Sequence, residues 1–169
     1  MNLLKTNSCM RKYLILLLLA FTGLQAFADD VIVTVNDLKW GEKNELEVCM
    51  TNKDEVNGFQ ADIILPDGFS LDGNGKRSVD PDVTERLAGL TVMCRALSNG
   101  KFRLVVFSMS GKKVKEKEGV IMRIPVKVEE STPKGKYEVQ LVNASASITI
   151  DGKLQSAKIP NSTSVINYK

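Results

Sequence analysis

The sequence predicts an all-β protein built as a two-sheet antiparallel β-sandwich. Roughly nine short runs rich in β-branched and aromatic residues alternate apolar with polar side chains, which is the period of a strand buried on one side. Turn pairs such as Asn57-Gly58, Asn99-Gly100 and Asp151-Gly152 separate the runs. Because no amphipathic helical stretch exceeds about two turns, the strands themselves must supply both layers of the core.

The first 28 residues have the pattern of a signal peptide. A basic pair precedes the apolar run 14–20, and the small-x-small triplet 26–28 offers a cleavage site. An uncleaved anchor is the less favoured alternative, because a membrane crossing needs roughly twenty apolar residues. We therefore expect a signal peptide at residues 1–28 and one domain at residues 29–169, exported to the periplasm, the cell surface or the medium.

The predicted strands follow the alternation in chain order. Asn99-Gly100 lies between two runs of similar length and predicts a hairpin with a type I′ turn. Pro125 cannot donate to a ladder, so its strand is expected to be bulged there or to lie at an edge. Residues 82–88 are the only segment expected to form a helical turn or two. The predicted strands are residues 31–35, 46–50, 59–65, 90–97, 102–109, 120–128, 137–142, 146–150 and 164–168.

Charge and composition exclude several classes of function. The net charge of +3 equals the three basic residues of the predicted leader, so residues 29–169 are expected to be neutral. Without a basic block interleaved with aromatics, neither nucleic acid nor an anionic membrane surface is an expected partner, and no membrane insertion is expected after cleavage. The chain contains no histidine, which excludes Ser-His-Asp and Cys-His catalysis. We therefore expect no enzymatic activity and no cofactor.

Two further groups of residues leave alternatives open. Asp72, Asn74, Asp80 and Asp82 gather oxygen ligands that could hold calcium, although ordinary turn chemistry is the favoured interpretation and no metal site is predicted. Cys49 and Cys94 lie in predicted strands of an exported chain, so they could form a disulfide. Two buried free thiols are the favoured alternative.

The order of landmarks resembles a cohesin domain, of the superfamily that also holds carbohydrate-binding modules. The segments that carry this resemblance are VIVTVNDLKWGEKNELEV, NGFQADIILPDGFSL, GKFRLVVFSMSG and GVIMRIPVKVEESTPKGKYEVQLVNASASITIDG. The resemblance implies a nine-stranded jelly-roll sandwich that presents a flat sheet face to a dockerin-like protein partner. It also implies a place in surface or extracellular assemblies that degrade polysaccharide.

A candidate binding face follows from the resemblance and from the run 102–109. In this run Phe102, Leu104 and Val106 lie on one side, whereas Val105, Phe107 and Met109 lie on the other. A sandwich strand buries only one side, so the second stripe is either covered by a loop or a second copy, or free for a partner. The predicted partner-binding residues are Gln60, Asp62, Ile64, Arg103, Val105, Phe107, Glu138 and Gln140.

Two other functions stay open at this stage. A carbohydrate-binding module would use exposed aromatic rings, for which Trp40 and Tyr137 are the candidates, although Trp40 beside a turn is better explained by packing over the end of the sandwich. A structural or adhesin subunit would use the free edges that a sandwich leaves.

Overall fold

The computed structural model describes residues 31–39, 44–73, 75–98 and 100–169, so the predicted signal peptide lies outside the described residues. The described chain forms twelve strands and a short 3-10 helix at Glu85–Leu87. All strand pairs are antiparallel. The strands are β1 Val31–Lys39, β2 Glu45–Asn52, β3 Glu55–Ile64, β4 Phe69–Leu71, β5 Ser78–Val79, β6 Asp82–Val83, β7 Thr91–Ala96, β8 Lys101–Phe107, β9 Glu118–Val128, β10 Gly135–Ile150, β11 Lys153–Lys158 and β12 Ser162–Tyr168.

The strands form two sheets, which confirms the predicted antiparallel sandwich. The first sheet has the order β1-β2-β9-β4, with β6 also paired to β9. The second has the order β11-β10-β3-β8-β7-β5, with β12 also paired to β10. Strand β10 has 16 residues, so one of its edges pairs with both β12 and β11 while the other pairs with β3.

The core lies between the sheets and follows the predicted alternation. On β8, Phe102, Leu104 and Val106 are at most 1% exposed, whereas the residues between them are not buried. Val48 and Met50 on β2 face them from the first sheet and belong to the same cluster of buried residues. Burying one stripe of each strand is the dominant favourable term in the folding of such a sandwich.

Several predicted elements differ from the observed ones. Residues 137–142 and 146–150 belong to the single strand β10, because Asn143 takes a positive φ of 53° and the ladder continues past a bulge between Val142 and Ser145. Strands β4, β5, β6 and β11 were not predicted. The first three have two or three residues each, too few for alternation to be visible.

Of the three predicted turns, one is absent, one is confirmed, and one joins the predicted hairpin through a longer loop than expected. Asn57-Gly58 lies inside β3, where a register shift leaves Asn57 as the extra residue of a bulge. Asp151-Gly152 forms a two-residue hairpin turn with φ values of 50° and 73°, as a type I′ turn requires. The hairpin of β7 and β8 is confirmed, but Leu97 rather than Ser98 pairs with Lys101, so its loop has one residue more than a type I′ turn.

The expectation for Pro125 needs correction, whereas the helical turn expected in residues 82–88 is present. Strand β9 lies inside the first sheet, and its bulge faces Cys49 rather than lying at Pro125. Pro125 instead pairs with β2 on one edge of β9. On the other edge it lies between the part of β9 that pairs with β6 and the part that pairs with β4, and its carbonyl accepts a hydrogen bond from the Asp72 N–H at 3.0 Å. Within residues 82–88 the expected helical turn is confirmed as the 3-10 helix Glu85–Leu87, whereas Asp82–Val83 form β6.

The 3-10 helix is attached to the first sheet by a buried arginine. Arg86 is 4% exposed and its guanidinium donates to the carbonyls of Met50 at 2.9 Å and Gly119 at 2.7 Å. It also donates to the carbonyl of Lys115 at 3.0 Å and to Asn52 Oδ1 at 3.2 Å. Burial lowers the pKa of Arg86, and the carbonyl oxygens replace the water that it loses.

The disulfide between Cys49 and Cys94 does not form. Both thiols are free and buried, and they lie in different sheets. Cys94 belongs to the core cluster between the sheets, whereas Cys49 alternates with the inward Val48 and Met50 and therefore points to the other side of its sheet. Burial raises the pKa of Cys94 to about 12 and also raises that of Cys49.

Candidate partner-binding face

The second sheet turns one side away from the core, and strands β10, β3, β8 and β7 make up the part that we call the outer face. Antiparallel partners share a side of the sheet, so the register shows which residues lie together on it. Gln60 is opposite Val105, and Asp62 is opposite Arg103. Ile64 is opposite Gln140 on its other edge. Glu138 lies two residues before Gln140 on β10, and Phe107 lies two after Val105 on β8, so all eight predicted residues lie on the outer face.

An ion pair organises the middle of this face. Arg103 donates from Nε to Asp62 Oδ1 at 2.7 Å and from Nη2 to Oδ2 at 2.9 Å. Asn143 Nδ2 donates to Asp62 Oδ2 at 3.1 Å. The hydrogen bonds from Arg103 lower the pKa of Asp62, whereas its burial opposes them. Asp62 is 4% exposed, so a molecule that approaches the face meets Arg103 rather than the carboxylate.

A concavity of about 480 Å³ lies on one half of the outer face, and we call it the serine concavity. Gly58 is part of its lining, and a Cβ there would come within 2.5 Å of the Val106 carbonyl oxygen. Strands β3 and β8 therefore approach each other closely at this point. The other lining residues include Gln60, Val105, Phe107, Ser145 and Ser147 on the outer face and Leu154 and Ser156 on the neighbouring β11, none of which is charged.

A second concavity of about 500 Å³ lies on the other half, and we call it the arginine concavity. It includes Val105, so this residue borders both concavities. Among the described residues that line it, three are arginines and none is acidic. The lining residues are Arg77, Met93, Arg95, Ala96, Leu97, Ser98, Arg103 and Val105.

The predicted apolar stripe is neither sealed under a loop nor fully open. Val105 and Phe107 are half-buried in the walls of the concavities, whereas Met93 and Leu154 beside them are 54% and 69% exposed. Met109 is not part of the stripe, because β8 ends at Phe107 and Met109 follows in a loop. The outer face thus combines accessible apolar groups with a polar surround, the composition of many protein interfaces.

The described residues do not support the carbohydrate-binding alternative. Tyr137 packs its ring against Phe69, with the centroids 4.9 Å apart, and its hydroxyl donates to the Pro133 carbonyl. It shares the inward parity of Val139 and packs against the core, so it is not part of an exposed row of rings. No large hydrophobic residue that is exposed in the described chain is aromatic, and Trp40 lies outside the described residues.

The predicted calcium candidates are divided between two places. Asp72 and Asp80 line one concavity together with Lys76, whereas the Asp82 carboxylate lies 3.8 Å from Arg123 Nη1. Asn74 lies outside the described residues. In the described ranges, no three His, Cys, Asp or Glu side chains form a group that could hold a metal ion. Those ranges also hold no helix with the length and apolar character of a membrane span.

Sequence reasoning missed Arg77, Arg95, Met93 and Asn143 as residues of the face. Arg95 and Met93 alternate along 90–97, but the predicted two-residue turn at Asn99-Gly100 would have placed them on the core side of the sheet, so the pattern did not assign them to the face. Arg77 directly precedes the two-residue strand β5, which is too short for alternation to be visible.

Similar proteins are found among solved structures. No protein-family model and no curated protein matches the sequence. Among solved structures, a type I cohesin of ScaB from Pseudobacteroides cellulosolvens matches with a TM-score of 0.57 and 18% identity over 82% of this chain and 92% of that one. The sixth cohesin of scaffoldin B from Acetivibrio cellulolyticus, in complex with a mutant Cel5 dockerin, matches with a TM-score of 0.56 and 14% identity. The match covers 83% of this chain and 98% of that one.

A cohesin module from a Clostridium perfringens family 33 glycoside hydrolase matches with a TM-score of 0.55 and 16% identity, over 83% of this chain and 97% of that one. Identities this low establish shape rather than shared ligands. The chain therefore has a cohesin-like fold, an antiparallel jelly-roll sandwich.

Proposed function

We propose that this protein is an exported, non-catalytic binding module whose outer face binds a dockerin-like protein partner. The observation that carries the proposal is the position of Val105 and Phe107, apolar side chains on the interior strand β8 that line concavities instead of the core. Apolar groups left accessible in this way are typical of docking surfaces. The fold supports the same function, because one similar structure is a cohesin in complex with a dockerin.

The dimensions of the outer face suit a helical partner. Its four strands are about 4.8 Å apart, so they span about 14 Å, which accommodates one helix of about 10 Å diameter with part of a second. The polar groups around the apolar centre, such as Gln60, Ser145 and Arg103, are donors and acceptors that a partner can satisfy. We place the module in surface or extracellular assemblies that degrade polysaccharide, by analogy with the similar solved structures.

A pull-down from the exoproteome of the source organism tests the proposal. The purified protein is immobilised as wild type, as Phe107→Ala and as Ile32→Ala, and the captured proteins are identified by mass spectrometry. Ile32 is a matched control, because it is 46% exposed and lies on the first sheet. We expect dockerin-bearing proteins on the wild type and on Ile32→Ala, with capture by Phe107→Ala reduced about tenfold.

Two results would overturn the proposal. Equal capture by Phe107→Ala and Ile32→Ala would remove the outer face from consideration. Retention of a polysaccharide without any protein would favour the carbohydrate-binding alternative instead.

A further inference from the structure

The arginine concavity concentrates positive charge on one half of the outer face. Arg95 and Arg103 are direct cross-strand partners on β7 and β8. Arg77 adjoins them, because its carbonyl accepts from the Ala96 N–H at 2.6 Å. Asp62 neutralises one of the three guanidinium groups, and no acidic residue of the described chain lines the concavity. The described residues that line the serine concavity on the other half carry no charge, so the outer face is electrostatically asymmetric.

This arrangement is unfavourable for the isolated protein. Like charges directly opposite on one side of a sheet destabilise the pairing. Arg103 is compensated by Asp62, but within the described part of the chain neither Arg77 nor Arg95 has a side-chain hydrogen bond or ion pair. Both are exposed, so packing does not require a long cationic side chain at either position. An anionic ligand would relieve the repulsion.

The floor of the concavity indicates what else the ligand carries. Met93 and Leu97 are 54% and 42% exposed, and Val105 lies beside them. A small inorganic anion would leave these side chains in water, whereas an amphipathic segment would cover them. Nucleic acid does not fit, since the described surface exposes no large aromatic residue on which bases could stack.

We propose that the arginine concavity binds an acidic amphipathic segment of the protein partner. Its carboxylates pair with Arg77, Arg95 and the free edge of Arg103, and its apolar side chains cover Met93 and Leu97. Guanidinium groups suit this role because they bind carboxylates in bidentate geometry. The inference rests on the proposed protein-binding function and adds that charge sets the orientation of the partner, with its acidic end over β7 and its neutral end over the serine concavity.

Two matched helical peptides serve as the probe. One carries Glu at i and i+4 with Leu on the same face, and in the other Gln replaces each Glu. Binding is measured at about 50 mM salt to wild type, Arg95→Gln, Arg95→Glu and Lys127→Glu. Lys127→Glu makes the same change of charge on an exposed residue of the first sheet. We expect the Glu peptide to bind wild type and Lys127→Glu at least about tenfold more tightly than the Gln peptide does, and more weakly as salt rises.

The same preference should fall with Arg95→Gln and disappear with Arg95→Glu, while the thermal unfolding midpoint of both variants is at or slightly above that of wild type, because the repulsion between Arg95 and Arg103 is removed. Equal binding of the two peptides, or equal effects of Arg95→Glu and Lys127→Glu, would overturn the inference. Tighter binding of polygalacturonate, also lost in Arg95→Glu, would reassign the site to an anionic glycan.

The two proposals can fail separately. Capture of a dockerin-bearing protein that depends on Phe107 but not on Arg95 would contradict the inference and leave the proposed function standing. Glu-peptide binding that depends on Arg95, without any dockerin-bearing protein in the pull-down, would contradict the proposed dockerin-like partner and leave the acidic-segment site standing.

Discussion

Arg103 lies over Asp62 on the neighbouring strand and donates two hydrogen bonds to it, at 2.7 and 2.9 Å. The carboxylate is buried and also accepts from Asn143, whereas the side chain of Arg103 stays 48% exposed. Asp62 therefore belongs to the support of the outer face, and Arg103 belongs to its surface. Substitution of Asp62 should therefore act on the stability of the face, whereas substitution of Arg103 should act on the surface that a partner meets.

Asp62→Asn should lower stability and leave the fold intact. The variant keeps the shape of the side chain but loses the charge that Arg103 pairs with, so we expect a loss of about 1 kcal/mol in the free energy of unfolding. Urea unfolding at neutral pH measures the change. Glu138→Gln, an exposed carboxylate on the same side of the sheet, is the control and should stay within about 0.5 kcal/mol of wild type.

The contribution of Asp62 should also depend on pH in a defined direction. Its pKa in the folded protein is below the ordinary value of 3.8, chiefly because Arg103 bonds the charged form. The ion pair therefore stabilises the fold above pH 3.8, and this contribution is lost as the pH falls below 3.8 through the folded-state pKa. The difference in unfolding free energy between wild type and Asp62→Asn should shrink there. A difference that is constant down to about pH 2 would contradict the pKa shift.

The sequence was sufficient for the architecture because alternation reports burial directly. Phe102, Leu104 and Val106 could be assigned to the core, and Arg103, Val105 and Phe107 to the other side, without coordinates. The continuity of β10 could not be predicted in this way. It depends on the positive φ of Asn143, and the hydrogen bond from this side chain to Asp62 joins residues 81 positions apart.

The arginine concavity could not be predicted because it depends on one residue of loop length. With a two-residue turn at Asn99-Gly100, Arg95 would pair with Leu104 and point toward the core between the sheets. The observed loop places Leu97 opposite Lys101 and thereby brings Arg95 opposite Arg103. Turn signals locate a hairpin well, but its register is set by the competition between turn geometry and burial of both strands.

Replacing Arg86 should destabilise the protein more than any change on the outer face. Arg86→Met would leave the carbonyls of Met50, Gly119 and Lys115 without their buried donor, and we expect a loss of about 3 kcal/mol or more. Arg86→Lys keeps the charge but reaches fewer acceptors and should be intermediate. Urea unfolding checks both variants against the exposed control Lys127→Ala.

Because Arg86 packs on the first sheet, a folded variant should still bind through the outer face. Arg86→Lys at a temperature well below its midpoint should therefore capture the same proteins as wild type. Loss of capture from a fully folded Arg86→Lys sample would mean that the two sheets are coupled in binding.

Both cysteines should be inert in the native protein. Burial raises the pKa of Cys94 to about 12 and raises that of Cys49, so very little thiolate is present at about pH 8. We expect iodoacetamide to label neither residue in native protein and both in urea, as read by intact mass. Rapid native labelling of Cys49 but not Cys94 would show that the side of the first sheet beneath Arg86 opens more readily than the core.

Gly58→Ala should separate β3 from β8 under the serine concavity. A Cβ at this position would come within 2.5 Å of the Val106 carbonyl oxygen and 3.2 Å of the Phe107 Cα, both backbone atoms that a rotamer change cannot move aside. We expect a loss of about 1–3 kcal/mol in the free energy of unfolding. Gly135→Ala is the matched control, because the nearest atom to its added Cβ belongs to the Tyr137 ring at 4.0 Å. Equal midpoints for the two variants in thermal unfolding would show that β3 and β8 can separate without cost, and the close approach would then not fix the position of Phe107.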